Sequence, residues 1–322
     1  MLAAAFPPLT LALPVPQTRP MGLANFRDAA EVQAALENEK YLPDPGLATA
    51  VFLGLQLRRP LFLEGEPGVG KTALGRALAT VLKARYIRLQ CYSGIDASRA
   101  LYDWDFPRQI LALRAIADPA GNVGEVRSVY RADFLLERPI LRAIKHNGPV
   151  VLLIDEIDRA DDEFEAFLLE VLERHDITIP ELSESHEITS DLVVVLTSNR
   201  TREVHDALKR RCIYHWIAHP GVEQETKILQ ALRPEVSPVL ATEMSQLMHR
   251  LRSADGMIKR PGISETLDFA DSIRALGASE LTPEITQRAL GAFVKHRDDQ
   301  DTARKAIAAG SGGQGWRADG EH

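Results

Sequence analysis

The chain has 322 residues, 45% hydrophobic and 26% charged, an ordinary globular composition with length for one large domain or two modest ones. Its formal net charge of -7 excludes non-specific nucleic-acid binding driven by total charge, although a local basic stripe would still be compatible with it. Two cysteines, Cys91 and Cys212, lack CxxC or His-linked spacing, so they read as reduced thiols in a cytosolic protein and exclude a disulfide framework or metal site.

Residues 1–22 are expected to be a disordered leader. The apolar run has no positive start, since its first basic residue is Arg19, and Pro7, Pro8, Pro14 and Pro16 interrupt it. Either Met1 or Met21 serves as the start. No later window reaches the length of a membrane span, so a cytoplasmic location is expected.

Residues 23–219 read as an α/β region. The stretch from Phe26 to Leu57 is helical in pattern, with a turn at Pro43-Asp44-Pro45-Gly46. Candidate strands follow at Leu61–Glu64, Tyr86–Leu89, Val150–Ile154, Leu192–Leu196 and Ile213–Trp216. Short apolar runs alternating with amphipathic helices predict a parallel sheet buried between helices. After His219-Pro220-Gly221 the strands stop, and residues 220–309 read as a smaller all-α lid with helix starts near Gly221, Ser237, Ser264 and Thr282. The glycine-rich tail 310–322 is expected to be flexible.

Between the first strand and a helix over Ala73–Leu82, Gly65-Glu66-Pro67-Gly68-Val69-Gly70-Lys71-Thr72 fits G-x-x-x-x-G-K-[ST] at every position. Glycines let backbone wrap a phosphate without Cβ clashes, and the following helix, entered at Ala73, presents free N–H groups. Lys71 then reaches the β- and γ-phosphates of ATP, and the Thr72 hydroxyl ligates Mg2+. The strand Val150–Ile154 ends in Asp155-Glu156 at the edge where open α/β sheets bind ligands. Asp155 is expected to hold magnesium through its water shell and Glu156 to polarise the attacking water.

A third strand delivers Thr197-Ser198-Asn199 to the same edge. Asn199 is placed to hydrogen-bond the γ-phosphate or the water; a plain loop-capping asparagine is the other reading. Ahead of the last strand comes Lys209-Arg210-Arg211. An arginine finger supplied to a neighbour's phosphate fits here, Arg211 first and Arg210 second, and it requires a dimer or a ring; a solvated basic turn is the alternative.

These motifs in this order, followed by a helical segment, resemble AAA+ ATPases over roughly 41–290. The resemblance implies a three-layer P-loop domain with a parallel sheet and a helical lid. Four stretches resemble the MoxR group: Cys91-Tyr92-Ser93-Gly94 through Tyr102-Asp103-Trp104-Asp105-Phe106-Pro107-Arg108, where that group has an insertion, Asp158-Arg159-Ala160-Asp161-Asp162-Glu163-Phe164, Phe167-Leu168-Leu169-Glu170 and Ile177-Thr178-Ile179-Pro180. Thr197-Ser198-Asn199-Arg200-Thr201-Arg202-Glu203-Val204 through Tyr214-His215-Trp216 looks most like its CoxD branch. That resemblance implies a homo-hexameric chaperone with a von Willebrand A-domain partner, maturing a molybdenum hydroxylase such as carbon monoxide dehydrogenase as its metalloenzyme client. MoxR proteins usually carry a sensor 2 arginine early in a lid helix. Here Gly262-Ile263-Ser264-Glu265-Thr266-Leu267-Asp268 has none, and Lys259 or Arg260 are the nearest substitutes.

Competing readings are a nucleic-acid motor, a chelatase motor subunit and an ATP-binding scaffold without turnover. The acidic and apolar segment Ile177-Thr178-Ile179-Pro180-Glu181-Leu182-Ser183-Glu184 counts against nucleic acid, and Glu156 counts against a scaffold. Tyr102, Trp104 and Phe106 either grip a client in a pore or pack the insertion onto the sheet. The scattered histidines form no metal motif, so no metal beyond the magnesium of ATP is expected.

Overall fold

The computed structural model describes residues 26–116, 131–173, 176–179, 181–182, 184–187 and 191–310. The expected leader over 1–22, the two candidate starts and the tail beyond Gly310 lie outside these residues, as do Pro180 and Ser183 of the acidic segment.

Helices α1 (Ala29–Asn38) and α2 (Pro45–Leu57) precede β1 (Leu61–Gly65), α3 (Lys71–Val81) and β2 (Arg85–Gln90). The insertion holds α4 (Ala97–Ala100), β3 (Tyr102–Trp104), α5 (Phe106–Ile116), β4 (Leu135–Glu137) and α6 (Pro139–Ile144). Then come β5 (Val150–Asp155), α7 (Asp162–Glu173), the hairpin β6 (Asp176–Ile179) and β7 (Glu184–Glu187), β8 (Leu192–Ser198), α8 (Asp206–Arg211) and β9 (Ile213–Ile217). The C-terminal region is helical: α9 (Val222–Leu232), α10 (Pro238–Ser253), α11 (Ile263–Ala275), α12 (Pro283–Arg288), α13 (Leu290–Phe293) and α14 (Arg297–Gly310).

Five strands form one parallel sheet in the order β2-β5-β8-β1-β9. Alternate side chains of each strand feed two different cores, as the pleat requires. Phe62, Leu152, Ile154, Val194 and Leu196 pack with α6, α7 and α8 on one face. Leu61, Leu63, Val151, Leu153 and Val195 pack with α1, α2 and α3 on the other. This burial on both faces is what makes the strands continuous apolar runs. A third core, built around Met244, Leu247, Phe269 and Phe293, belongs to the helical region.

Each strand runs one or two residues beyond the sequence expectation, because the ladder continues past the last apolar side chain. The expected turn at Pro43–Gly46 is instead the start of α2. The Asp44 carboxylate accepts from the Leu47 amide at 3.0 Å and Pro45 occupies the first turn, where a missing N–H costs nothing. Helix α14 extends through Gly310 and is held by Ala303 and Ile307 in the third core. In the insertion, β3 pairs antiparallel with β4, Trp104 is buried, the Tyr102 hydroxyl donates to Glu181 at 2.9 Å, and Phe106 stays exposed. The three aromatics therefore divide between the packing and the open reading.

The helical region contains a fully buried ion pair. Arg252 donates to both oxygens of Glu225 at 2.6 Å and to the Pro261 carbonyl at 2.6 Å. Removing one partner leaves the other as a buried charge, so Arg252→Ala is expected to cost about 3–5 kcal/mol, measured by urea denaturation. Replacing Glu225 and Arg252 together by apolar residues should recover most of that loss; no recovery would show that the pair does more than neutralise itself.

Candidate nucleotide site

The loop after β1 is shaped by its glycines. A Cβ on Gly65 would lie 2.3 Å from the Ile217 carbonyl oxygen of β9, and Gly68 and Gly70 have φ of +78° and +97°. Those angles disfavour L side chains, so the loop takes a path that few other residues could follow. Glu66 and Pro67 are exposed at its crown, while Val69 is buried in the core beside α1 and α2 and anchors it. Gly70 then caps α3, with Lys71, Thr72 and Ala73 in the first turn, where free amides and the helix dipole favour an anion.

The Lys71 ammonium is buried and donates to the Gly65 and Glu66 carbonyls at 2.7 and 2.8 Å. Burial pulls its pKa down to about 8, opposed by the negative fields of Asp158, Asp155, Glu66 and Glu156. The Thr72 hydroxyl donates to Asp155 Oδ1 at 3.0 Å. These two oxygens come from the first turn of α3 and the end of β5 and are hard donors of the type magnesium takes. Loop, lysine and oxygen pair together fit a magnesium nucleotide.

Three features around the carboxylates escaped the motif reading. Arg88 of β2 donates to Asp155 Oδ2 through Nε at 2.9 Å and Nη2 at 2.5 Å. Thr197 of β8 donates to Asp155 Oδ1 at 2.5 Å and accepts from the Glu156 amide at 3.0 Å. Glu156 sits at φ +56°, a strained setting for a non-glycine residue and one that clusters at functional sites. Its Oε2 accepts from Gln90 Nε2 at 3.0 Å and from Arg159 Nε at 2.7 Å, and its Oε1 lies 3.4 Å from Asn199 Nδ2. Register supplied the only signal for Gln90: it stands opposite Asp155 on the neighbouring strand. Asp158, one turn on, accepts from the amides of Asn199 at 3.2 Å and Thr201 at 2.8 Å and so orients the loop that carries Asn199.

Lys71, Thr72, Asp155, Glu156 and Asn199 thus meet at one sheet edge. Arg210 and Arg211 are exposed at the end of α8 and make no bond to that group among the described residues. Their run of charge has a partly structural use. Lys209 pairs with the buried Glu64 at 3.2 Å, Arg211 pairs with Glu173 of α7, and Arg59 donates to the carbonyls of Arg210, Arg211 and Cys212. Of the sensor 2 substitutes, Lys259 and Arg260 are both exposed, and the Lys259 amide donates to Asp299. A cavity of about 980 Å³ lies between the phosphate loop and the helical region, lined by Tyr41, Gly68, Gly70, His219, Ile263 and Leu267 among others.

Residues 61–217 match the family described as ATPase family associated with various cellular activities (AAA). They form an AAA ATPase domain. That domain spans all five strands of the parallel sheet and every residue of the carboxylate cluster. The chain is 27% identical to spastin of Drosophila virilis over 209 residues, covering 62% of this chain and 22% of that protein. It is 28% identical to Lon protease of Halothermothrix orenii over 231 residues, covering 66% and 26%. The chain therefore spans about a quarter of the length of these curated relatives. Among solved structures, the Thermotoga maritima RuvB Holliday junction branch migration motor matches at a TM-score of 0.42 and 15% identity, covering 83% of this chain and 71% of that one. No helix among the described residues is long and apolar enough to cross a membrane.

Proposed function

We propose that the AAA domain hydrolyses ATP and that the chain uses the cycle to remodel a protein. The observation that carries this is the convergence of Lys71, Thr72, Asp155, Glu156 and Asn199 at one edge of the sheet. Gly65, Glu66, Pro67, Gly68, Val69, Gly70 and Ala73 complete the phosphate cradle. Magnesium, when bound, neutralises charge on the β- and γ-phosphates. Thr72 and Asp155 hold it, Lys71 offsets phosphate charge, Glu156 takes a proton from the attacking water, and Asn199 orients that water.

The finger is assigned to Arg211, or to Arg210, acting on the site of a neighbouring copy in a ring. Exposure at the end of α8 supports it, since the pair between Arg211 and Glu173 is itself solvent-exposed and such pairs are weak. Arg211→Ala is expected to leave nucleotide binding intact and to cut turnover about a thousandfold. Mixing Arg211→Ala subunits with Glu156→Gln subunits should restore part of the activity, since some sites then combine an intact Glu156 with an intact finger. A phosphate-release assay on the mixture that recovers nothing, with both variants assembled, would count against a shared site.

The client reading is a maturation chaperone for a molybdenum hydroxylase, hexameric, with a von Willebrand A-domain partner. It is supported by the MoxR-like and CoxD-like stretches and by Phe106, Ile110 and Leu111, an exposed apolar group on α5 suited to holding a polypeptide segment. Tagged Glu156→Gln protein, loaded with ATP in extracts of its source cells, tests it by mass spectrometry of what stays bound. A von Willebrand A-domain protein with a molybdenum enzyme is the expected result. Recovery of DNA or a nuclease would replace the client reading with a nucleic-acid motor.

A further inference from the structure

The helical region touches the phosphate loop directly, backbone to backbone. The Ile263 amide, at the first position of α11, donates to the Gly68 carbonyl at 2.9 Å. Gly262, just before it, is buried against the loop. A Cβ there would stand 2.8 Å from Gly68 Cα, 2.8 Å from the Pro67 oxygen and 2.9 Å from the Gly68 carbonyl carbon. These are backbone atoms, which cannot swing aside as a side-chain end can. Gly262 itself has φ −87° and ψ −171°, which any L residue adopts, so its need for glycine comes from the loop and not from its own backbone. The contact is reciprocal: a Cβ on Gly68 would lie 3.2 Å from Gly262 Cα and 3.0 Å from Glu265 Oε2.

Gly262 is also held firmly from behind. The Pro261 carbonyl accepts from the buried Arg252, the Gly262 carbonyl accepts from the Thr266 amide at 3.2 Å, and the Gly262 amide donates to Glu265 at 2.9 Å. Thr266 in turn donates to Glu225, the partner of Arg252. The seat is therefore tied to the core of the helical region through a buried polar network, and a push on Gly68 is felt there.

We propose that Gly262 is a positioning residue for the nucleotide: lacking a side chain, it seats the helical region on Pro67–Gly68 and sets the width of the cavity between them. This rests on the reading of that loop as the ATP site, and it gives the contact between lid and loop a route that needs no arginine in Gly262–Asp268. A nucleotide that orders the loop then steadies the helical region, and by linkage a displaced helical region weakens nucleotide binding by the same factor.

Two variants test it on the full chain. Gly262→Ala puts a methyl group into the loop. Ile263→Pro removes the donor to Gly68 and exchanges the isoleucine on the cavity wall for another apolar side chain; proline is accepted at the first helical position and the extended Gly262 suits a following proline. Each should raise the Kd for a fluorescent ATP analogue with Mg2+, and the KM for ATP, about tenfold, with kcat within about twofold of wild type. Gly291→Ala, on the same helical region with nothing within 4 Å of its new Cβ, should leave all three unchanged. Hydrogen exchange supplies a readout that a purely structural role would not move. The amides of Ser264 and Glu265 should be slowed by ATP in the wild type and much less in either variant. Unchanged Kd and unchanged ATP-dependent protection in both variants, with a wild type that binds, overturn this inference alone. A wild type that fails to bind ATP overturns the nucleotide reading and this inference with it.

Discussion

Lys71→Ala is expected to weaken ATP binding at least a hundredfold while leaving the fold intact. The two halves of that expectation have different causes. In the folded protein the ammonium is buried, 6% exposed, and rests on two carbonyls of its own loop. Burial holds its pKa at about 8 against an ordinary value of 10.5. The sign follows directly: the fold disfavours the protonated lysine, so at neutral pH this side chain works against stability, and the effect is relieved as pH rises from about 8 toward 10.5. Removing it should therefore raise the unfolding free energy at pH 7 and not lower it, by at most about 3 kcal/mol. Binding is another matter. A phosphate brings negative charge to a cation that already lacks solvent, and charge-assisted hydrogen bonds of this type contribute about 1.5–3 kcal/mol each. Two of them account for the hundredfold. Titration with a fluorescent ATP analogue measures the first half and urea denaturation the second. Tight binding by the alanine variant would remove residues 65–73 from the phosphate role.

The sheet and the phosphate loop were legible because their signals are local. Val150-Val151-Leu152-Leu153-Ile154 has one reading as a strand buried on both faces, and the loop's glycines, lysine and threonine stand at fixed spacing. Asp155, Glu156 and Asn199 could be placed because each follows such a strand by one to three residues. What stayed hidden depends on register and on tertiary contact. Arg88 and Gln90 alternate with apolar residues on β2 and read as solvent-facing polar side chains; only pairing with β5 brings them to Asp155 and Glu156. Lys209 looked like one third of a surface cation run until Glu64, buried at the end of β1, was found beneath it. The turn expected at Pro43–Gly46 failed because Asp-Pro-Gly serves equally well as a helix cap followed by a first-turn proline. Gly262 carried no signal at all, since a glycine before a helix has an ordinary capping use and its tight contact is with a loop 194 positions away in the sequence.

Glu156→Gln should trap the enzyme in its ATP-bound state. Glutamine preserves the shape of the side chain and keeps an oxygen for Gln90 or Arg159, so the loop, the lysine and the Thr72–Asp155 oxygens are untouched and ATP affinity should stay within about threefold of wild type. The substitution removes the carboxylate's basicity. General-base catalysis contributes about 10²- to 10⁴-fold, and turnover should fall by that amount. The surroundings of Glu156 add a second expectation. Its carboxylate is held by three donors, Gln90, Arg159 and Asn199, which fix the direction it faces. Gln90→Ala removes one of them without touching the loop or the magnesium oxygens. It should leave Kd unchanged and alter kcat, upward if the bond restrains the base and downward if it aims it. Phosphate release under single-turnover conditions separates these effects from nucleotide exchange. Undiminished turnover in Glu156→Gln would take the base role away from this residue. Reduced turnover with unchanged Kd there, together with a kcat in Gln90→Ala equal to wild type, would make Glu156 the base and leave Gln90 a structural neighbour.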